Sequence, residues 1–206
     1  MKTIVVFSPH NDDLEIGLGG TILKHIDEGY KIIKLVFSAG QLSNPHLKEE
    51  VIVKRRERDA LAVARAYNIH NTLFYRLTDQ KLKKELPSIE EDVRAILRSE
   101  QPEKVYLPSS NDAHADHRAV FQFGLDLLKE SPVEIYSYEV WNVTQDNYPV
   151  IYVDISDYFK KKVDMLHYFT TEKVSTWLHR IPLIFRAKKY GRKIGVKYAE
   201  KFYKIQ

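Results

Sequence analysis

The chain of 206 residues contains no cysteine. That excludes disulfides, thiolate metal sites, iron–sulfur clusters and a cysteine nucleophile, and it leaves histidine and carboxylates as the ligands for any borderline-soft ion. Long apolar runs are missing too. The longest uninterrupted aliphatic or alanine stretch is Ala60–Ala64, far short of the ~18 residues that suggest a membrane span. Met1-Lys2-Thr3 leads directly into Ile4–Phe7, too short an apolar stretch for a signal peptide, so it reads as a first strand and the protein as cytoplasmic. Internal repeats, low-complexity segments and linkers are also absent.

What is present is the composition of a globular protein: 44% hydrophobic and 29% charged residues argue against disorder. The length suits one domain, 1–206, with a core that needs no covalent staple. Charge is uneven. Nine Lys/Arg and one acid fall between Arg180 and Gln206, a net of +8, so the rest of the chain carries −4 of the total of +4. Such an end suits anionic lipid or nucleic acid, with Tyr190, Tyr198, Phe202 and Tyr203 as a stacking surface. It also suits an amphipathic closing helix, and a basic helical C-terminal segment is the expectation taken.

Short β-rich runs alternate with helical patterns. Thr3–Phe7 and Ile32–Phe37 are continuously apolar apart from Lys34, as strands covered on both faces should be. Thr72–Tyr75, Lys104–Leu107, Glu134–Tyr138 and Val150–Val153 follow as strands, and Gly20–Glu28, Leu47–Tyr67, Ser88–Ser99, Asp116–Lys129 and Ser156–Phe169 as helices. This alternation predicts an α/β fold: a Rossmann-like, doubly wound domain with a mostly parallel sheet and helices on both faces. Ligands of such folds bind beyond the carboxyl ends of the strands.

Two loops at those ends carry chemistry. After the first strand comes Ser8-Pro9-His10-Asn11-Asp12-Asp13, then Gly17, Gly19 and Gly20. The glycines lack the dinucleotide spacing, and two carboxylates at the turn would repel a pyrophosphate. After the fourth strand comes Asn111-Asp112-Ala113-His114-Ala115-Asp116-His117. Without cysteine, His and Asp from two loops can hold a catalytic zinc with an open position. Adjacent carboxylates point different ways, so of Asp12 and Asp13 one can bind metal while the other acts as general base on water. Asp116 can orient a histidine. The set suits metal-assisted hydrolysis of an amide or ester.

These two clusters resemble those of the LmbE-like, or PIG-L-type, zinc-dependent N-acetylglucosamine deacetylases. That family's signatures are His-Pro-Asp-Asp-Glu and His-Pro-Asp-His. Here His10-Asn11-Asp12-Asp13 and His114-Ala115-Asp116-His117 keep the ligand-type residues and replace both prolines. Gly17–Gly20, Arg56 to Asp59, Leu77-Thr78-Asp79 and Tyr198 to Phe202 are weaker likenesses. Lys161 to Thr171 parallels a family segment but lacks its Ser-Gln end. The resemblance implies His10, Asp13 and His117 as ligands of one Zn²⁺ and Asp12 as general base. It implies His114 as electrostatic stabiliser and general acid with Asp116 as its partner, and Arg56 and Asp79 facing the sugar. It further implies removal of an N-acetyl group from an N-acetylglucosamine-type sugar or conjugate, and a homo-oligomer. The alternatives are a metal- or ligand-binding member without turnover, a binding module for anionic lipid or nucleic acid acting through the basic C-terminal segment, and an assignment with His114 on the metal.

Overall fold

In a computed structural model, every strand of the described residues joins one sheet. The structure describes residues 1–43, 47–141, 147–169 and 173–206, with backbone alone at 43 and 173–180. Thr170 and Thr171, the end of the family-like segment, lie outside the described residues. Strands β1 (Thr3–Ser8), β2 (Lys31–Ser38), β3 (Asn71–Leu77), β4 (Lys104–Pro108), β5 (Glu134–Tyr138), β6 (Val150–Asp154) and β7 (Ala199–Lys204) lie in the order β3-β2-β1-β4-β5-β7-β6. β1 to β5 are parallel, and β7 runs antiparallel between β5 and β6. The order reverses beside β1, which pairs with both β2 and β4, and the crevice of a doubly wound sheet opens there.

Helices α1 (Asp13–Asp27), α2 (Glu49–Ala66), α3 (Leu82–Glu85), α4 (Glu90–Glu100), α5 (Ala115–Leu128), α6 (Phe159–Met165) and α7 (Lys173–Lys193) complete the fold. Alternate residues of β1 face two separate cores. Ile4 and Val6 pack with Leu14, Ile22 and Val63 of α1 and α2, while Val5 and Phe7 pack with Val93, Val120 and Phe121 of α4 and α5. That two-sided burial is why β1 reads as an unbroken apolar run. No described helix is long and apolar enough to cross a membrane.

Two expectations are corrected. Helix α1 starts at Asp13, not at Gly20, with non-helical dihedrals inside it at Leu18. The glycines serve close packing: a Cβ on Gly17 would meet the Tyr138 ring at 2.4 Å, and one on Gly20 would meet Ile155 at 2.8 Å. The Glu200 carboxylate accepts the N–H groups of Gly20 and Thr21 at 3.0 and 2.7 Å, capping the second half of the helix.

The basic C-terminal segment is helical only to Lys193; after Gly195, at φ +73°, residues Ala199–Lys204 form β7. Phe202 and Tyr203 are buried, one on each face of that strand, and Lys201 pairs with Glu139. Tyr198 stacks on Phe159 at 3.9 Å, and the Tyr190 hydroxyl donates to Glu139 at 2.5 Å. The aromatic residues that suggested a stacking surface are thus engaged within the fold.

Candidate metal and catalytic site

The loops after β1 and β4 meet at the carboxyl end of the sheet. β1 ends at Ser8, and the chain turns through Pro9 and His10 into α1 at Asp13. The Asp13 carboxylate turns back, its Oδ2 accepting the His10 N–H at 2.8 Å. β4 ends at Pro108, and His114 is the N-cap of α5, its Nδ1 accepting the Asp116 N–H at 3.2 Å. A cleft of about 410 Å³ opens over both loops, and His10, Asp12, Asp13, Arg56, His114 and His117 lie on its wall.

Three buried donors form a near-equilateral triangle. His10 Nδ1 lies 3.3 Å from Asp13 Oδ2, His117 Nε2 lies 3.3 Å from the same oxygen, and the two nitrogens are 3.3 Å apart. A tetrahedral zinc with bonds of ~2.0–2.1 Å has ligand–ligand edges of about 3.3–3.4 Å. The donor set and its spacing therefore fit one such ion.

Each histidine's other ring nitrogen faces a carboxylate, the usual arrangement for orienting a ligating imidazole. His10 Nε2 is 3.3 Å from Asp79 Oδ1 and 3.6 Å from Asp116 Oδ2, and His117 Nδ1 is 3.0 Å from Asp112 Oδ2. Burial alone would lower both histidines. For His10 the nearby carboxylates of Asp116, Asp13 and Asp79 win and hold its pKa well above the usual range. For His117 the Asp13 charge and the adjacent Asp112 carboxylate raise it to about 9. The same contacts, His117 first, hold Asp13 well below the usual carboxylate range against its burial. The carboxylates of Asp13, Asp79 and Asp112 around these two buried imidazoles give the pocket the negative potential that a divalent cation needs.

The remaining residues fall as follows. Asp12, at the start of α1, is half-buried and lines the cleft. His114 also lines it, its ring tilted 27° from that of His117 with centroids 5.0 Å apart. With Nδ1 accepting a backbone N–H, the His114 proton sits on Nε2. Burial, then the charges of His10 and His117, lower the His114 pKa.

Asp116 partners His114 differently from the expectation. Its backbone N–H reaches His114, while its carboxylate accepts the N–H groups of Gln80 and Leu82 at 2.7 and 3.3 Å. Asp79 is 5% exposed, between His10 and the Leu42 N–H, behind a histidine as much as on the cleft. Arg56 is buried, its Nη1 donating to the Ala39 carbonyl at 2.9 Å.

Asp112 escaped the sequence reading, although its Oδ1 also accepts the His114 N–H at 2.8 Å. An acid two residues before a histidine in a metal-like cluster was the available signal. Asn-Asp in a loop reads first as a turn, which hid it.

A family model described as GlcNAc-PI de-N-acetylase, the PIG-L family, matches residues 5–128, more than half of the chain, and the chain belongs to that family. The diacetylchitobiose deacetylase of Thermococcus kodakarensis is 25% identical over 224 residues, covering 97% of this chain and 82% of the relative. Among solved structures, the N,N'-diacetylchitobiose deacetylase of Pyrococcus horikoshii superposes with a TM-score of 0.84 at 25% identity, covering 98% of this chain and 82% of that one. The 4-carboxy-2-hydroxymuconate hydratase of Pseudomonas putida superposes with a TM-score of 0.82 at 18% identity, covering 100% of this chain and 97% of that one. One fold thus carries different reactions, and the site has to decide among them.

Proposed function

We propose that the protein is a zinc-dependent amide hydrolase that removes the N-acetyl group from an N-acetylglucosamine-type sugar or its conjugate, releasing acetate and the free amine. The observation that carries this is the triangle of His10, Asp13 and His117, with Asp12 and His114 on the cleft beside it. The family and the deacetylase relatives support the choice of an acetamide substrate.

The ion, held by His10, Asp13 and His117, would supply Lewis-acid polarisation of the amide carbonyl and a water acidic enough to attack near neutral pH. Asp12 accepts one proton as the water oxygen bonds to the carbonyl carbon. Oxyanion charge develops within reach of the His114 Nε2–H. A neutral imidazole donating that hydrogen bond stabilises it without needing to be charged. Asp12 then passes its proton to the amine nitrogen as the C–N bond breaks. Asp79 and Asp112 aim the two histidines, and Arg56, on the cleft wall, is the residue assigned to face the sugar.

The test is a panel of N-acetylated sugars incubated with zinc-loaded protein and assayed for free amine. Asp12→Asn is expected to retain zinc and lose turnover by ~10²–10⁴-fold. Amine release from none of the sugars, or an Asp12→Asn variant with full activity, would falsify the assignment.

A further inference from the structure

β2 is apolar from Ile32 to Phe37 except at Lys34, and that lysine is 1% exposed. Its ammonium donates to the Asn11 carbonyl at 2.5 Å and to the two carboxylate oxygens of Glu15 at 2.9 and 2.8 Å. Glu15, in the first turn of α1, is wholly buried. Opposite charges enclosed in this way are seldom kept for stability, because apolar side chains of similar volume serve as well or better.

The bond to Asn11 points to another use. Asn11 stands between His10 and the Asp12–Asp13 pair, and four consecutive carbonyls of this loop each receive a donor. Ser38 N–H holds Pro9 at 2.9 Å, the Ser8 hydroxyl holds His10 at 2.6 Å, Lys34 holds Asn11 at 2.5 Å and the Ile16 N–H holds Asp12 at 3.0 Å. Three of these donors are neutral groups. The fourth is a full charge reaching in from the neighbouring strand, with its direction set by Glu15.

We propose that Lys34 and Glu15 form a positioning pair. They fix the peptide between His10 and Asp12, so that the donors of the triangle and the carboxylate of Asp12 keep their relative placement. The proposal rests on the functional reading above. Neither residue lines the cleft, so the pair acts through the backbone it holds.

The test compares the wild type with Lys34→Met/Glu15→Leu and Lys34→Met/Glu15→Gln, which remove the ammonium without stranding a buried charge. Folding is followed by near-ultraviolet circular dichroism and thermal melting, zinc affinity by chelator competition, and turnover on a sugar that the wild type cleaves. A folded double variant is expected to bind zinc about 10–100-fold more weakly, the range for groups that orient ligands. It should also lose kcat by about tenfold or more with KM within about twofold, the signature of a misplaced reacting group. Wild-type zinc affinity and kcat in a folded double variant overturn the proposal. So does failure of both variants to fold, which would make the pair a requirement of folding alone. If the wild type binds zinc and cleaves no N-acetyl sugar, the functional reading fails, and the zinc-affinity comparison still decides whether the pair positions the ligands.

Discussion

The parallel sheet has a cavity at each end, and the two differ in size and in chemistry. At the amino ends of β4 and β5 a space of about 770 Å³ is walled by Leu97, Leu127, Leu128 and Val133, with Arg94 and Arg98 on its rim. Those two arginines are paired with Glu90 and Glu91 of the same helix. At the carboxyl ends the smaller cleft, about 410 Å³, gathers two buried histidines and the carboxylates around them. Volume favours the first and donor chemistry the second. In a doubly wound fold, ligands bind outside the carboxyl ends of the strands, and that rule points to the smaller cleft.

Buried histidines make the same contrast at the level of single residues. His117 and His25 are 4% and 7% exposed, and each has neighbours at both ring nitrogens. His117 lies between Asp13 and Asp112, and its pKa rises to about 9. His25 lies between the Tyr106 hydroxyl and Glu28, and burial takes its pKa below the usual value. Burial pushes both down. Only where carboxylates surround the ring is that penalty reversed, and the same carboxylates equip the carboxyl end for a cation.

The largest effect expected from breaking this contrast comes from the triangle. Asp13→Ala and His117→Ala should leave the purified protein without stoichiometric metal and without measurable amine release. Arg98→Ala, at the larger cavity, should change neither. Metal analysis after dialysis, run beside the activity assay, checks both halves. Loss of activity in Arg98→Ala would move the functional centre to the other end of the sheet.

A smaller effect is expected one shell out. Asp112→Asn keeps an acceptor for the His114 N–H but removes the charge facing His117 Nδ1. Zinc affinity should fall about 10–100-fold with the fold intact. Chelator competition reads it, and an unchanged affinity would mean that the Asp112 contact does not tune the ligand.

The sheet and the ligand loops were legible because their signals are local. A strand buried on both faces is apolar throughout, and a histidine beside paired acids at its carboxyl end stands out against such a run. Four of the five expected helices lay close to where they form, while α1 began seven residues early. There the glycines read as a loop, although their lack of side chains lets the helix meet Tyr138 and Ile155. β7 was read as part of a helix because its lysines dominate the pattern, and only the sheet shows that Lys201 and Glu139 satisfy each other. The Asp116 carboxylate is bound to the turn around Gln80, a contact across 36 residues for which the sequence has no period or motif. Lys34 showed as an exception within a strand, and its partner Glu15 is defined only once α1 is placed against β2.

The smallest expected effect tests the amino end. His25 has a folded-state pKa below its ordinary value of 6.5, so as pH falls the unfolded chain takes up this proton first. The neutral, buried ring therefore contributes stability that is fully present above about pH 6.5 and is lost as pH falls toward the folded pKa. His25→Gln removes that titration and keeps a polar group near Tyr106. The variant should be less stable than the wild type near pH 7.5, through lost packing and hydrogen bonds, and the gap should narrow as pH is lowered through 6.5 and below. Thermal melts of both proteins with zinc bound, taken from pH 7.5 to 5, read the difference directly, because protonation of the metal ligands is common to the two. A gap that stays constant across this range would show that His25 does not hold its proton differently in the folded chain. The contrast between the ends of the sheet would then rest on the carboxylates around His10 and His117 alone.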